Sequence, residues 1–364
     1  MINVLQIASG DLWAGAENMF FNLCVGLNKQ KDINLYAIVL NEGELYERLK
    51  QEKINVTVIK ESENSFLDII RKVKAIAVSM KVDVIHTHRQ KENVIGAVVK
   101  LFTGAKLCVR TVHGASEFRF YPWKIGMMVN GFLNWFCGYF IQDFIVSVSE
   151  PLRKQLARTY GRSKTLTICN GVNVNEIIEQ KNNNGNELDG AVKIGMVGRL
   201  VPVKRFDLFL KVAENCKNSK LNVNFYILGD GPLMSEIIQS INKLKLHNVV
   251  LLGHVNNAPQ IISQFDMIMM MSDHEGLPMT ILESMVLQVP IVSHAVGEIP
   301  TILGDGKYGE IVGNQEPRSY CEIIKKFITK SEFFKHRAEL AFTFSRENYS
   351  SLIMVKRYSE LYAS

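Results

Sequence analysis

The sequence predicts an α/β protein of two Rossmann-like domains, each with a doubly wound parallel sheet, that face a central cleft. Apolar strand candidates alternate with helical patterns almost from end to end, which is typical of parallel sheets covered by helices on both faces. The length of 364 residues exceeds one ordinary core, and it suits two domains of about 150 to 200 residues each. The polar residues 181–190 lie at mid-chain and have the composition of a linker.

In the first half of the chain, each apolar segment is followed by a helical pattern, as repeated βα units require. Strands are expected near residues 2–8, 34–40, 55–59, 83–87, 106–112 and 143–148. Helices are expected near residues 15–29, 43–52, 66–80, 90–102, 122–141 and 149–159. In the second half, strands are expected near residues 192–198, 222–228, 248–252, 267–271 and 290–293.

This pattern also predicts where the domains begin and end. We expect an N-terminal domain over residues 1–175, a linker over 176–191 and a C-terminal domain over 192–345. The amphipathic tail, residues 346–364, is expected to form a last helix. The first residues lack the basic leader and the long apolar run of a signal peptide, and we interpret them as the first strand.

The composition excludes several classes of protein. With 47% hydrophobic and 21% charged residues, the chain is predicted to be globular rather than disordered or fibrous. The 42 basic and 36 acidic residues give a net charge of +6, which is too small an excess to indicate nucleic-acid binding. This charge is compatible with an anionic substrate or membrane surface. The six cysteines are scattered without close pairs, and we expect buried, reduced thiols and a cytoplasmic protein.

Two carboxylates flank a turn that opens a helix in the second half. Glu275 and Glu283 lie eight positions apart, after the apolar run 265–271 and around the start of a helical pattern over 279–287. The free amides and the dipole of a helix N-terminus bind anions, whereas carboxylates accept hydrogen bonds from hydroxyls. A nucleotide sugar carries both groups and is therefore the expected ligand. The alternative is a βα connection with two solvated glutamates.

Two basic residues follow the first strand of the second half. Arg199 and Lys204 lie between the strand 192–198 and a helix that starts near Phe206. The carboxyl ends of parallel strands form the crevice in which open α/β sheets bind ligands. An Arg can bind one phosphate in a bidentate way, and a Lys can act as a point charge on the next. The alternative is a basic loop that pairs with nearby acids.

Taken together, these segments resemble a known family. Gly198-Arg199-Leu200 with Lys204, followed by Glu275 and Glu283, is similar to the retaining glycosyltransferases of family four, which have the GT-B fold. Further segments follow in the family's order: Gly15-Ala16-Glu17, Asp83 to His88, Thr111 to Gly114, Val146 to Glu150, Asn170 to Val172, Leu228 to Pro232 and Leu252 to Val255. The resemblance implies an acceptor-side N-terminal domain, a nucleotide-sugar-binding C-terminal domain and a tail that crosses back onto the first.

The departing nucleoside diphosphate of such a reaction gains negative charge, which a metal or fixed cations must offset. No Asp-x-Asp pair occurs in the sequence, so the usual metal anchor is missing and metal independence is expected, in agreement with the family. Arg199 and Lys204 are expected to offset this charge. The backbone amides expected to assist them belong to Gly276, Leu277, Met279 and Thr280. The family's usual aromatic residue is Leu277 here, which changes an apolar contact but not the amides.

The resemblance also assigns donor contacts. Glu275 would bind hydroxyls of the donor sugar, and Glu283 would bind those of the ribose. Gly15, in a Gly-Ala pair where the family has two glycines, would let the backbone approach the diphosphate without a Cβ clash. The remaining nucleotide contacts are expected from Gly229 and Gly231 and from the backbone of His254 and Val255.

His113 follows a predicted strand and matches the family's active-site histidine, which implies contact with the transferred sugar. The alternative is a strand-end histidine whose hydrogen bonds are satisfied locally. His86 and His88 have a His-x-His spacing that could indicate a metal. Because no third ligand is evident, we interpret them as structural or acceptor-side residues.

Residues 118–140 are rich in aromatic side chains, but they contain too many asparagines and glycines for a membrane span. The favoured interpretation is a well-buried helix of the first domain. In the alternative, residues 118–135 contact a membrane peripherally on its cytoplasmic face. Phe120, Trp123 and Lys124 would then lie in the bilayer interface, where they would receive a lipid-borne acceptor.

The predicted function is that of a retaining, metal-independent glycosyltransferase without a cofactor. It would move a sugar from a nucleotide sugar, UDP-linked by expectation, to a saccharide or lipid-linked saccharide in surface-polysaccharide biosynthesis. The alternatives are a nucleotide-sugar epimerase on the same fold and a non-catalytic nucleotide-sugar-binding module. An oxidoreductase is disfavoured because residues 9–15 do not match the dinucleotide-binding glycine fingerprint.

Overall fold

The computed structural model describes residues 1–10, 13, 15–114, 125–181, 192–255 and 257–364, with the helical backbone alone for residues 125–129. These residues form two compact units. Unit 1 contains residues 1–171 and 351–364, and unit 2 contains residues 172–350. Each unit is built on one parallel sheet.

The sheet of unit 1 has seven parallel strands in the order β3-β2-β1-β4-β5-β6-β7. The strands are β1 Ile2–Ala8, β2 Ile33–Val39, β3 Val56–Val58, β4 Val84–Thr87, β5 Leu107–Val112, β6 Phe144–Ser147 and β7 Thr165–Thr167. The strand order reverses direction between β1 and β4, which creates a topological switch point at their carboxyl ends. All four residues of β4 are buried, as expected of a strand covered on both faces.

Helices connect these strands. They are α1 Gly15–Asn28, α2 Glu44–Gln51, α3 Phe66–Ser79, α4 Gln90–Thr103, α5 Ile125–Phe140 and α6 Glu150–Tyr160. Serine caps start two of them, because the Ser65 hydroxyl accepts from the Asp68 N–H and the Ser149 hydroxyl accepts from the Leu152 N–H.

The sheet of unit 2 has six parallel strands in the order β10-β9-β8-β11-β12-β13, with its switch point between β8 and β11. The strands are β8 Lys193–Val197, β9 Asn224–Leu228, β10 Val249–Gly253, β11 Met267–Met270, β12 Ile291–His294 and β13 Glu310–Val312. The helices are α7 Val174–Lys181, α8 Phe206–Asn218, α9 Met234–Lys243, α10 Ala258–Ile262, α11 Met279–Val286, α12 Ile299–Ile302, α13 Pro317–Thr329 and α14 Ser331–Asn348. Residues Pro202–Lys204 form a short 3-10 turn before α8.

The last helix, α15 Ser351–Tyr362, belongs to unit 1 and packs against α1. Gly26 of α1 leaves room for Val355, since a Cβ at Gly26 would lie 2.2 Å from the valine Cγ2. Tyr358 and Tyr362 of this helix are buried at 0% and 3% exposure, so the C-terminal segment supplies part of the core of unit 1.

The prediction of two doubly wound parallel-sheet domains is confirmed. Two strands of three residues each, β7 and β13, were not predicted, whereas the equally short β3 was expected because it lies in the apolar pattern of residues 54–59. The expected linker over 176–191 begins inside α7, and its residues 182–191 lie outside the described part. Folding brings together two cysteines that are distant in sequence, since the Sγ atoms of Cys216 and Cys321 lie 3.3 Å apart as buried, free thiols.

The interpretation of α5 as a well-buried helix is wrong for the side chains described, residues 130–140. Only Asn134, Cys137 and Gly138 are buried there, against α4 and α6. Five aromatic side chains are exposed instead: Phe132, Trp135, Phe136, Tyr139 and Phe140. Residues 118–124, with the expected interfacial Phe120, Trp123 and Lys124, lie outside the described residues. No helix in the described ranges is both long enough and apolar enough to cross a bilayer.

The contact between α1 and α15 leads to a test with two glycines inside helices. Gly26→Ala should lower the free energy of unfolding by about 1–2 kcal/mol, because the stiff Val355 side chain cannot yield to a new methyl group. Gly131→Ala in α5 meets open space and should raise that free energy by up to about 1 kcal/mol through helix propensity. Urea denaturation midpoints of the two variants measure the difference. Equal midpoints would contradict the assigned packing.

Candidate active site

The loops that follow β8, β9 and β10 are joined by backbone hydrogen bonds at the carboxyl edge of the sheet of unit 2. The Leu200 N–H donates to the Asp230 carbonyl at 2.9 Å, and the Gly229 N–H donates to the Gly253 carbonyl at 2.8 Å. Gly229 has φ +144°, and a Cβ there would lie 2.0 Å from the Gly198 carbonyl oxygen. Only glycine permits this approach of the two loops.

Gly231 is constrained in the same way. It has φ +158°, and a Cβ would lie 2.7 Å from the Leu200 carbonyl oxygen. The turn that contains Gly229 and Gly231 is therefore held against the loop that carries Arg199, whose side chain is exposed. The next loop carries the exposed His254 and the half-buried Val255, directly after β10.

The loops after β8 and β11 are linked by an ion pair. Lys204 Nζ lies 2.6 Å from Glu275 Oε1, and the two side chains are 21% and 10% exposed. The pair joins the two strands between which the sheet order reverses, so it lies at the switch point of unit 2. The expected pairing of a basic loop with a nearby acid is thus observed for Lys204, and the acid belongs to the predicted site.

The loop that carries Glu275 is fixed by a network that sequence analysis missed. Arg205 has a left-handed backbone with φ 61° and donates through Nη1 to Asp273 Oδ1 at 3.1 Å and to Gln315 Oε1 at 2.7 Å. Gln315 Nε2 also donates to Asp273 at 2.9 Å and to the Met271 carbonyl at 3.1 Å. Burial raises the pKa of Asp273, but these hydrogen bonds from Gln315 and Arg205 outweigh it and lower that pKa.

The position of Arg205 beside Lys204 was a signal for this network, but nothing in the sequence marked Gln315.

A further contact to the Glu275 loop comes from Gly297, which has φ +59°. A Cβ there would lie 2.1 Å from the Glu275 carbonyl oxygen. The Glu298 N–H donates to the Gly276 carbonyl at 3.2 Å, so the loop after β12 packs against the Glu275-Gly276 turn.

The turn leads into α11, which begins at Met279. Pro278 occupies the N-cap position and provides no side-chain cap, and first-turn amides lack helical acceptors. Leu277 and Met279 are buried, whereas Thr280 and Glu283 are half-buried on the first turns of the helix. The amides and the dipole of this helix start therefore adjoin the turn that carries Glu275.

The residues predicted for the site fall into two sets. Unit 2 brings its set together at the carboxyl edge of one sheet: Arg199, Lys204, Gly229, Gly231, His254, Val255, Glu275, Gly276, Leu277, Met279, Thr280 and Glu283. The other two, Gly15 and His113, belong to unit 1. Gly15 is the exposed first residue of α1, and His113 directly follows β5.

The half-buried His113 is hydrogen-bonded to a chain of buried polar side chains. His113 Nε2 lies 3.2 Å from His88 Nδ1, and His88 Nε2 lies 2.9 Å from Gln6 Oε1. His86 contacts the Tyr362 hydroxyl through Nδ1 at 2.6 Å and Thr111 Oγ1 through Nε2 at 2.8 Å. Both ring nitrogens of His86 and of His88 are thus engaged. In the described ranges no group of three or more His, Cys, Asp or Glu residues is arranged to hold a metal ion.

Burial keeps these histidines neutral. It lowers the pKa of His86 and His88 well below the usual value, and it lowers the pKa of His113 to about 3, with a further contribution from the Arg89 charge. Nearby, Arg89 pairs with the buried Glu17 of the Gly15-Ala16-Glu17 turn. Burial also raises the pKa of Glu92 in the first turn of α4 to about 7. Sequence analysis gave none of these three charged residues a role, because the burial of Glu17 and Glu92 and the pairing of Arg89 are tertiary properties.

Comparison with known families identifies the family of the chain. Residues 13–176 match the model of Glycosyltransferase Family 4, and residues 177–342 match the model of Glycosyl transferases group 1. The chain therefore belongs to the family 4, GT-B-type glycosyltransferases, and it is a glycosyltransferase by class. The resemblance inferred from the motifs is confirmed.

Particular relatives are more distant. The poly(ribitol-phosphate) alpha-N-acetylglucosaminyltransferase of Staphylococcus aureus is 22% identical over 60% of this chain, a match that spans only 44% of that protein. The Escherichia coli UDP-Gal:alpha-D-GlcNAc-diphosphoundecaprenol alpha-1,3-galactosyltransferase is 28% identical over 74% of this chain and 73% of its own. The structure of Anabaena HepE with UDP-glucose matches with a TM-score of 0.84 at 18% identity and covers 100% of both chains. That likeness shows a shared fold.

The neutral histidines make stability depend on pH. Their pKa values are below 6.5 in the folded chain, so their contribution to stability is present above pH 6.5 and is lost as the pH falls. Glu92 opposes them, because its pKa of about 7 in the folded chain exceeds the ordinary glutamate pKa of 4.5. At pH 5.5 unfolding should therefore take up about two protons. The free energy of unfolding should then fall by about 2–3 kcal/mol for each unit by which the pH is lowered.

The number of protons taken up on unfolding is measured during urea unfolding in weakly buffered solution. The variant Glu92→Gln removes the opposing group, so its uptake at pH 5.5 should rise to about three protons. Unfolding without net uptake at pH 5.5 would mean that the three histidines are not held neutral.

Proposed function

We propose that this glycosyltransferase is a retaining, metal-independent enzyme with a UDP-linked sugar as donor. Its acceptor is a saccharide or a lipid-linked saccharide in surface-polysaccharide biosynthesis. The names of the relatives support this proposal, because the E. coli enzyme is named for UDP-Gal and a diphosphoundecaprenol-linked acceptor. The S. aureus enzyme is named for poly(ribitol-phosphate), and HepE was crystallised with UDP-glucose.

The observation that carries the proposal is the Lys204–Glu275 pair beside Arg199, at the switch point of unit 2 and next to the start of α11. A cation and an anion at 2.6 Å suit a ligand that has phosphate and hydroxyl groups on adjacent atoms. In the complex, Lys204 would turn from Glu275 to the β-phosphate, and Glu275 would accept hydrogen bonds from sugar hydroxyls. The carboxylate is neutralised by its partner in the free protein, so phosphate meets no net negative charge there.

Catalysis then requires stabilisation of the leaving diphosphate. Arg199 and Lys204 supply two positive charges, and the start of α11 adds roughly half a charge through its dipole and amides. The loop that carries Glu275 is fixed before the substrate binds, because Arg205, Asp273 and Gln315 hold the residues just before it. The Lys204 side chain then turns to the phosphate beside a loop already in place, and a site that needs little rearrangement lowers the barrier more effectively than one that must be assembled.

The remaining contacts are assigned by the family pattern. Glu283 would bind the ribose, the backbone of His254 and Val255 would bind the base, and Gly229 and Gly231 would line the nucleotide. In unit 1, Gly15 is assigned to the diphosphate and His113 to the transferred sugar. Retention of anomeric configuration is part of this proposal through the family pattern.

Peripheral membrane contact is proposed for the exposed face of α5, defined by Phe132, Trp135, Phe136, Tyr139 and Phe140 and here called the aromatic surface. Aromatic rings on one helix face are typical of interfacial helices, and α5 carries no charged residue over 125–140. Near its end Lys164 donates to the carbonyls of Tyr139 and Gln142 and adds a positive charge beside the aromatic surface. A lipid-linked acceptor would be available at such a surface on the cytoplasmic face of a membrane.

The assignment of Lys204 predicts a large loss of transfer. Lys204→Met should lower turnover by about 100-fold or more, because one fixed donor to the developing charge disappears. Lys211→Met, at an exposed position of α8, is the matched control and should retain wild-type turnover. UDP release is measured with a panel of nucleotide sugars and saccharide acceptors, with and without EDTA. Wild-type turnover in Lys204→Met contradicts the assignment, and loss of wild-type turnover with EDTA contradicts metal independence.

The aromatic surface predicts binding to anionic phospholipid vesicles. The double variant Trp135→Ser, Phe140→Ser should bind at least about 10-fold more weakly in a sedimentation assay, because two large apolar groups no longer enter the interface. Phe333→Ala removes an exposed aromatic ring of α14 in unit 2 and should leave binding unchanged. If the wild type does not sediment, or if the double variant sediments equally, the membrane contact is refuted.

A further inference from the structure

The C-terminal helix α15 is connected to His113 by an unbroken path of hydrogen bonds within unit 1. The hydroxyl of Tyr362, near the end of α15, lies 2.9 Å from Gln6 Nε2, and Gln6 Oε1 lies 2.9 Å from His88 Nε2. His88 Nδ1 in turn lies 3.2 Å from His113 Nε2. Tyr362, Gln6 and His88 are buried at 3%, 0% and 2% exposure, so water does not compete for these bonds.

The proton positions along this path follow from a single hydroxyl. The Tyr362 oxygen accepts from the Gln6 amide, so its one proton is donated to His86 Nδ1 at 2.6 Å. The Gln6 carbonyl is then left to accept from an N–H at His88 Nε2. Because a neutral imidazole carries one proton, His88 Nδ1 is an acceptor and receives the N–H of His113 Nε2.

At the end of the path, His113 Nδ1 carries a lone pair. This atom is buried and has no hydrogen-bond partner among the residues that the structure describes. The reverse direction of all these bonds would leave a proton on Nδ1 instead, as a buried donor without an acceptor. Orphaned buried N–H groups are rarer in proteins than under-satisfied acceptors, which favours the first direction.

We propose that Tyr362 is a positioning residue for His113. Through Gln6 and His88 it holds the His113 ring in the Nε2–H tautomer and leaves Nδ1 as an acceptor for a hydroxyl of the sugar substrate. The substrate part of this inference rests on the proposed function. The tautomer part concerns unit 1 alone, and it gives the C-terminal helix a role in the site in addition to its packing against α1.

The same helix provides a matched control. Tyr358 is also buried, and its hydroxyl lies 2.8 Å from Thr111 Oγ1, which contacts the far nitrogen of His86. Tyr358→Phe therefore removes a buried hydroxyl from α15 without cutting the path from Tyr362 to His113. Both substitutions keep the aromatic ring, so both variants are expected to fold, with similar small losses in Tm.

The experiment measures ¹⁵N chemical shifts of the histidine rings in the full-length chain, labelled at histidine, with His113 assigned through His113→Gln. Wild type and Tyr358→Phe should show His113 as the Nε2–H tautomer, whereas Tyr362→Phe should show a mixture of both tautomers. In the transfer assay, Tyr362→Phe should lower kcat by about 5- to 10-fold with little change in the donor KM. Gln6→Met cuts the same path, so its effect should not add to that of Tyr362→Phe.

An unchanged His113 tautomer in Tyr362→Phe overturns the proposal, and so does an equal shift in Tyr358→Phe, which would indicate a structural role only. A changed tautomer with unchanged kcat overturns the substrate part. Failure of the wild type to transfer sugar from any donor would refute the proposed function instead, and the ring shifts would still decide the tautomer assignment.

Discussion

The Lys204–Glu275 ion pair is the interaction on which the arrangement of the candidate site in unit 2 depends. It joins the loops that follow β8 and β11, the two strands between which the order of the sheet reverses. With 21% and 10% exposure the charges are partly withdrawn from water, so each is stabilised mainly by the other. A pair held in this way is worth little as a source of stability. It keeps two groups of opposite charge side by side at the edge of a sheet where ligands bind.

The surrounding backbone explains why the pair has one geometry. Gly229, Gly231 and Gly297 have positive φ angles, and each lies so close to a neighbouring loop that a Cβ would clash. These close backbone approaches hold the loop after β9 against the loop after β8, and the loop after β12 against the loop after β11. The Arg205–Asp273–Gln315 network then fixes the residues directly before Glu275. Backbone and side-chain contacts therefore set the site in advance, which is the condition for electrostatic stabilisation of a charged leaving group.

In unit 1 the polar side chains that lead to His113 are ordered by hydrogen bonds between uncharged groups. Its histidines at the carboxyl edge are kept neutral by burial, and the order of their hydrogen bonds comes from the single proton that each hydroxyl or neutral imidazole can donate. Such a chain has a direction, and the direction is determined far from His113 in sequence, by residues of β1 and α15. Unit 2 thus has charged groups at its switch point, whereas unit 1 has neutral histidines at the carboxyl edge of its own sheet.

The sequence alone determined the class of fold and most of the candidate residues of unit 2. Alternating apolar segments of four to seven residues bury both faces of a parallel strand, and Arg199, Lys204, Glu275 and Glu283 follow such strands at short distances. Tertiary structure decided what no local pattern encodes: the partner of Lys204, the role of Gln315, the contact of Cys216 with Cys321, and the exposure of α5. A helix rich in aromatic residues has the same sequence pattern in a core or on a surface, since burial depends on what packs against it. The hydrogen bonds of Tyr362 likewise depend on where a distant helix packs.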